Sequence, residues 1–250
     1  MNIITSFIDG SAIYGSSKEV ITSVRLFSNG QLKTSAGIDS RSYLPQTADS
    51  CSASTDANKN KCFLAGDSRA SENLGLSGIH SIFLREHNRI AGIIASKTTW
   101  DDEQVFQQTR RIMGAILQHI VYSQYIPSVI GRKVAGSYGL LPTTSGYTTS
   151  YDPAVNPGIY NEFAAAALRF GHTVVSNVYP RFNSNNRITD NTLTFSTINM
   201  NSDKAYDSTN GGIDSIVRGL VNSKCGQADL NIPKDLQNKL VDSFNGLPFE

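Results

Sequence analysis

Two consecutive stretches of helical periodicity restrict this chain more than any other feature. From Ser71 to about Ser96, Leu76, Ile79, Ile82, Phe83, Ile90, Ile93 and Ile94 recur at helical spacing. Trp100-Asp101-Asp102-Glu103 then opens a second stretch, with Asp101 as a good N-cap and acids at the positive helix end. Val105, Ile112, Ile116, Ile120 and Val121 continue its stripe until Pro127, which is expected to stop it. A third helix is expected from about Pro157 to Val175, through the run Phe163-Ala164-Ala165-Ala166-Ala167, with shorter ones near 211–221 and 233–244. Ser16 and Glu19 read as a capping box for a short early helix. Residues 28–62, 131–157 and 180–209 read as loop, with one hairpin near Asn29-Gly30. The fold class is therefore mainly α with long irregular loops, and residues 1–250 read as a single unit without repeats.

Composition excludes several functions. A net charge of +1 over 250 residues, with no basic run, argues against a nucleic-acid footprint. No apolar stretch approaches the roughly 20 residues a membrane span requires. MNIITSFIDG lacks the basic head, apolar middle and cleavage site of a signal peptide, which alone would suggest the cytosol. The cysteines point elsewhere. Cys51 and Cys62 bracket a polar loop with no His and no CxxC pair suited to zinc, so they form either a local disulfide or two free thiols. Cys225 is left over, as a free thiol or paired outside this chain.

The segment Lys61–Ala91 concentrates reactive side chains: Arg69, Glu72, His80, Arg85, Glu86, His87 and Arg89. Taken alone, Arg69 and Glu72 suit an ordinary loop ion pair. His80 and His87 are seven residues apart, but EHNR is not the HExxH of zinc proteases, and both read as structural together with Arg85, Glu86 and Arg89. His172 closes the run NEFAAAALRFGH, and by spacing alone such a residue is more often a satisfied core histidine than a ligand. Arg169 lies one turn earlier on nearly the same face. Thr5, Phe7, Asp9 and Ser11 occur at every second position of TSFIDGSAIYG, a spacing that suits either converging oxygens or an amphipathic strand.

GDSRASE followed by FLREHNRIA, with TSFIDGSAIYGS before, ALRFGH after and GGIDSIVRGL at 211–220, resembles the animal haem peroxidases, the group of myeloperoxidase, peroxidasin and peroxinectin. The likeness is colinear over almost the whole chain. It implies a haem b cofactor with His172 as the proximal iron ligand and Arg169 pairing with a haem propionate. Arg69 would be the distal group stabilising charge on the departing peroxide oxygen. Glu72 would form an ester with a haem methyl. Thr5, Phe7 (through its carbonyl), Asp9 and Ser11 would bind Ca2+; with one carboxylate among them, at least one more acid must come from elsewhere. The resemblance also implies an oxidising, secreted setting, in which Cys51–Cys62 would be a disulfide, and a role in the response to oxidative stress.

Two departures qualify these expectations. Asn73 stands where the myeloperoxidase pattern has a Met that makes a sulfonium link, so a less oxidising enzyme is expected. It would act on iodide, bromide, thiocyanate or phenols such as tyrosine rather than efficiently on chloride. The family's distal His helix would precede Met1, and the Asn that bonds the proximal His would follow Glu250. The chain thus reads as the central portion of a peroxidase domain, truncated at both ends, without an evident base to take a proton from hydrogen peroxide. The expected partners are hydrogen peroxide and a small reducing substrate; oligomeric state is not legible. A related fatty-acid oxygenase would need a radical-forming Tyr where Arg169 stands. The alternative from another class is a catalytically impaired extracellular adhesion or matrix module, although no RGD-type tripeptide is present.

Overall fold

The computed structural model describes residues 4–51, 61–189 and 192–239. After an irregular segment, α1 (Ser11–Tyr14) and α2 (Lys18–Val24) lead into a tight hairpin. The cap of α2 is Ser17, which accepts the Val20 N–H at 3.3 Å, so the start lies one residue beyond the expected Ser16. The hairpin falls where Asn29-Gly30 placed it. Both residues have positive φ (53° and 67°), Gln31 N–H donates to the Ser28 carbonyl, and Arg25 pairs with Leu32. That conformation is the left-handed turn for which Asn-Gly is the preferred sequence.

Three small antiparallel pairs are the sheet content of the described residues: β1 (Ser35–Ala36) with β2 (Ser42–Tyr43), β3 (Gln46–Ser50) with β4 (Lys61–Phe63), and later β5 (Val178–Tyr179) with β6 (Leu193–Thr194). The ends of β3 and β4 are joined by the Cys51–Cys62 disulfide, with Cα atoms 4.8 Å apart. Residues 52–60, between the two cysteines, lie outside the described residues.

The core is built on α3 (Leu74–Lys97) and α4 (Asp102–Ile120). α3 starts at Asn73, whose side chain accepts the Leu76 N–H at 3.0 Å. α4 starts at Asp101 with a complete capping box to Gln104, as the acidic start indicated. The face α3 buries is smaller than its apolar periodicity suggested. Leu74, Gly75, Ser77, Gly78, Ser81, Leu84, His87, Ile90 and Ala91 are buried, while Ile79, Ile82 and Ile93 are exposed. The difference has a physical cause. Gly75 and Gly78 let α9 (Gly212–Asn222) approach closely, and Ser77 and Ser81 can be buried because their hydroxyls bond the Ala70 and Ser77 carbonyls.

Two further expectations are corrected. Pro127 does not end the α4 stripe: a π-helical turn (Val121–Tyr125) carries the chain into α5 (Ile126–Ile130), where Pro127 occupies the first turn and needs no N–H partner. The stop comes at Gly131, after which α6 (Arg132–Ser137) occupies a stretch expected to be loop. The helix expected over 157–175 is broken in two, α7 (Asn161–Ala165) and a 3-10 helix (Ala167–Val174), at Ala166, whose ψ of −66° comes with φ −125°. Its side chains are almost all exposed, so packing does not enforce a continuous helix.

Toward the C-terminus come α8 (Phe195–Ile198), two short 3-10 turns, α9 and α10 (Lys234–Lys239). α9 matches the expected 211–221; the end of the expected 233–244 helix lies outside the described residues. Arg181, fully buried, ties this half together by donating to Asp207 Oδ2 (2.7 Å), Ser215 Oγ (2.9 Å) and the Lys204 carbonyl (3.1 Å).

Candidate functional site

Arg69 lies in a 3-10 turn, Ser68–Ser71, between β4 and α3. The turn is capped by Asp67, whose Oδ1 accepts the Arg69 backbone N–H at 2.9 Å. The same carboxylate takes the guanidinium in a fork, Nε to Oδ1 at 3.0 Å and Nη2 to Oδ2 at 2.7 Å. Arg69 therefore pairs with Asp67, where the sequence suggested Glu72. This hydrogen-bonded pairing holds the Asp67 carboxyl below its ordinary range and raises the guanidinium further. Glu72 closes the turn, its N–H donating to the Arg69 carbonyl at 2.9 Å, and its charge acts on Arg69. The half-buried Glu72 also accepts the Met200 N–H through its carbonyl. Asn73, next along, is committed to capping α3.

The segment before Arg69 is pinned by backbone contacts. Gly66 N–H donates to the Ile13 carbonyl at 3.1 Å and Asp67 N–H to the Ala12 carbonyl at 3.0 Å. A Cβ on Gly66 would fall on the backbone of Ile13, Tyr14 and Gly15, so only glycine lets the two strands of chain meet. The structure thereby joins two motifs far apart in sequence: the loop of Thr5, Phe7, Asp9 and Ser11 runs directly into α1, and α1 holds the Arg69 turn.

Within that loop, Thr5 Oγ1 accepts the Phe7 N–H at 3.1 Å and Asp9 Oδ1 accepts the Ser11 N–H at 2.9 Å. The loop rests on α4, where Gln118 Nε2 donates to the Ile8 carbonyl at 3.0 Å. Among the described residues no cluster of three or more His, Cys, Asp or Glu side chains is present, so no acid cluster surrounds Asp9. No helix of the described residues is long and apolar enough to cross a membrane.

His172 and Arg169 share the 3-10 helix Ala167–Val174, and both are exposed. Arg169 Nε donates to the Ala164 carbonyl at 3.1 Å. Phe163, Leu168 and Phe170 are also exposed, so the imidazole lies in a segment whose large apolar side chains are uncovered. Uncovered apolar side chains and an exposed imidazole in one segment are chemically suited to a flat, largely apolar macrocycle with a ligand-seeking iron. Val174 fixes the end of this helix by accepting the Gly226 N–H at 2.9 Å, next to Cys225, a free and exposed thiol.

Of the polar residues read as structural, His87 is fully buried and satisfied at both nitrogens, by Tyr14 Oη and by the Gly30 carbonyl, each at 2.8 Å. Burial pushes its pKa down to about 4 and pushes the Tyr14 hydroxyl up. Arg85 pairs with Asp214 and Arg89 with Glu86. His80 donates from Nδ1 to the Leu76 carbonyl at 2.9 Å, while its Nε2 is buried without a partner among the described residues. Sequence reading missed Asp67. Its signal was an Asp two residues before an Arg at a helix start, the spacing of a turn in which Asp bonds backbone two residues on.

A family model described as animal haem peroxidase matches residues 1–248. The peroxidasin homolog pxn-2 of Caenorhabditis elegans is 38% identical over 259 residues, covering 98% of this chain and 19% of the relative. The thyroid peroxidase of Rattus norvegicus is 36% identical, covering 96% of this chain and 26% of the relative. Among solved structures, peroxidase A from Dictyostelium discoideum superposes with a TM-score of 0.77 at 29% identity, covering 94% of this chain and 43% of that one. A fatty acid alpha-dioxygenase of Oryza sativa shares the fold, with a TM-score of 0.65 at 18% identity. The chain spans about a fifth to a quarter of the length of these two curated relatives. Matched along nearly its whole length, the chain belongs to the animal haem peroxidase family.

Proposed function

We propose that this chain carries the central part of a peroxidase catalytic unit, oxidising a phenol or a halide other than chloride at the expense of hydrogen peroxide. For a phenol the balance is H2O2 + 2 ArOH → 2 H2O + 2 ArO•. The observation that carries the reading is Arg69, a guanidinium fixed by Asp67 in a forked ion pair on a turn that Glu72 closes. A fixed cation is what a departing peroxide oxygen requires, because it stabilises developing negative charge without reorganising. His172 would hold a haem iron and Arg169 a propionate; Glu72 would tether the macrocycle. When bound, the haem supplies the redox equivalents that separate the two electrons of peroxide from the one-electron chemistry of a phenol.

Thr5, Phe7, Asp9 and Ser11 would contribute to a Ca2+ site. They offer four of the 6–8 oxygens the ion takes, and acids from outside the loop would complete it. Asn73 supports the choice of substrate: its amide caps α3 and offers no sulfur for a link that would raise oxidising power. The Cys51–Cys62 disulfide supports a secreted protein in an oxidising compartment.

The test is peroxide-dependent oxidation of tyrosine or iodide by the haem-loaded protein, beside Arg69→Lys. Turnover that depends on Arg69 is expected; fast chloride oxidation would contradict the substrate assignment. A second reading, an impaired matrix module, gains from the exposed aromatic surface of Tyr147, Tyr151 and Tyr160. It predicts no haem uptake at all.

A further inference from the structure

We infer that Asp67 is a positioning residue for Arg69, fixing the direction of its guanidinium through a carboxylate whose own backbone is held by α1. The inference rests on the peroxidase reading for what Arg69 does, and on geometry alone for how it is held.

An ion pair between exposed side chains is ordinarily worth little, because two flexible chains lose entropy in a screened setting. Arg69 is 61% exposed at its side chain, so the pair would be dismissed on that ground. Three features set it apart. The first is that Asp67 is not flexible: its side chain is only 20% exposed, its N–H is bound to the Ala12 carbonyl, and the preceding Gly66 lies against the α1 backbone. The second is that both carboxylate oxygens are used on one partner, with Oδ1 taking the Arg69 backbone N–H as well as Nε. Bidentate pairs fix a plane as well as a distance. The third is that the fork engages Nε and Nη2 and leaves Nη1 without a hydrogen bond among the described residues. The guanidinium is thus oriented by one edge and left with free donors on the other, the arrangement needed to present N–H groups to an incoming oxygen.

The mechanism predicts a specific pattern. Asp67→Asn keeps an acceptor for the backbone cap and removes the charged fork, so the turn should persist while the guanidinium loses its fixed direction. Asp67→Glu can re-form the fork from one methylene further out. A misdirection of the order of an ångström at a reacting centre lowers rate about a hundredfold. The second-order rate with hydrogen peroxide should fall about ten- to hundredfold in Asp67→Asn and recover to within about threefold of wild type in Asp67→Glu.

The first arm needs no haem. In the haem-free protein, the Arg69 Nε–H resonance, assigned by its loss in Arg69→Lys, should be slowly exchanging in wild type, lost in Asp67→Asn and retained in Asp67→Glu. The second arm is the stopped-flow peroxide rate of the haem-loaded proteins. An unchanged Nε–H resonance in Asp67→Asn overturns the inference, as does a full peroxide rate alongside a lost resonance. A peroxide rate in Arg69→Lys equal to that of wild type would instead refute the role given to Arg69, and the resonance would still decide whether Asp67 holds it.

Discussion

Acidification should destabilise this protein through one buried imidazole well before its paired carboxylates titrate. His87 donates from Nε2 to the Gly30 carbonyl and, as the neutral ring, accepts from Tyr14 Oη at Nδ1, with Phe106 against its ring, so it joins α1, α3, the Asn29-Gly30 hairpin and α4 in one contact. Burial holds its pKa near 4, against about 6.5 in an unfolded chain. A base whose pKa is lowered by folding binds fewer protons in the native state, so stability is lost as pH falls from about 6.5 toward 4. With those two values, the loss between pH 7 and pH 4.5 is about 2.4 kcal/mol, with a slope of about 1.2 kcal/mol per pH unit near pH 5. Asp67, Asp207 and Asp214 all have pKa values below the ordinary carboxylate range, so their loss of stabilisation belongs to a lower window. The assay is urea denaturation at several pH values for wild type and His87→Gln, which retains a donor or acceptor without titrating. Gln should lower stability at pH 7 and flatten the profile above pH 4.5. Equal losses in the two proteins over that range would refute the assignment.

Arg181→Ala should destabilise the fold by about 3–5 kcal/mol, because it empties a buried site and strips Asp207 of its partner, whereas Arg181→Met should cost less; urea titration measures both. Reducing the Cys51–Cys62 bond, with a sequence separation of 11, should remove about 3 kcal/mol by the chain-entropy relation, read from unfolding with and without reductant. Gly66→Ala should destabilise by about 1–3 kcal/mol through collision with the α1 backbone and should weaken the Arg69 Nε–H protection as well, because it moves the carboxylate that holds the guanidinium.

Much of the architecture was legible because it is encoded locally. Asn29-Gly30 specifies a turn that few other dipeptides adopt, and Asp101 with Gln104 closes a capping box by itself. What could not be read was anything set by a partner distant in sequence. Ile79, Ile82 and Ile93 carry a helical period, yet α9 packs against the small residues on another face. The 157–175 helix breaks because its apolar side chains find no cover, and periodicity carries no information about cover. The candidate site divides in the same way. Arg69, Glu72, His172 and Arg169 are candidates that motifs alone suggest, but the Asp67 fork and its attachment to α1 depend on a meeting of residues 12–15 with 66–67 that no local pattern announces.

The central claim is that His172 is a haem ligand, and the most direct measurement is an absorbance titration of the haem-free protein with haem, for wild type and His172→Ala. Because the imidazole is exposed, the substitution should leave unfolding stability within about 0.5 kcal/mol of wild type, so any difference reports on ligation. The account predicts a saturable Soret band in wild type that is shifted or lost in His172→Ala. The same band with the same affinity in both proteins would contradict it.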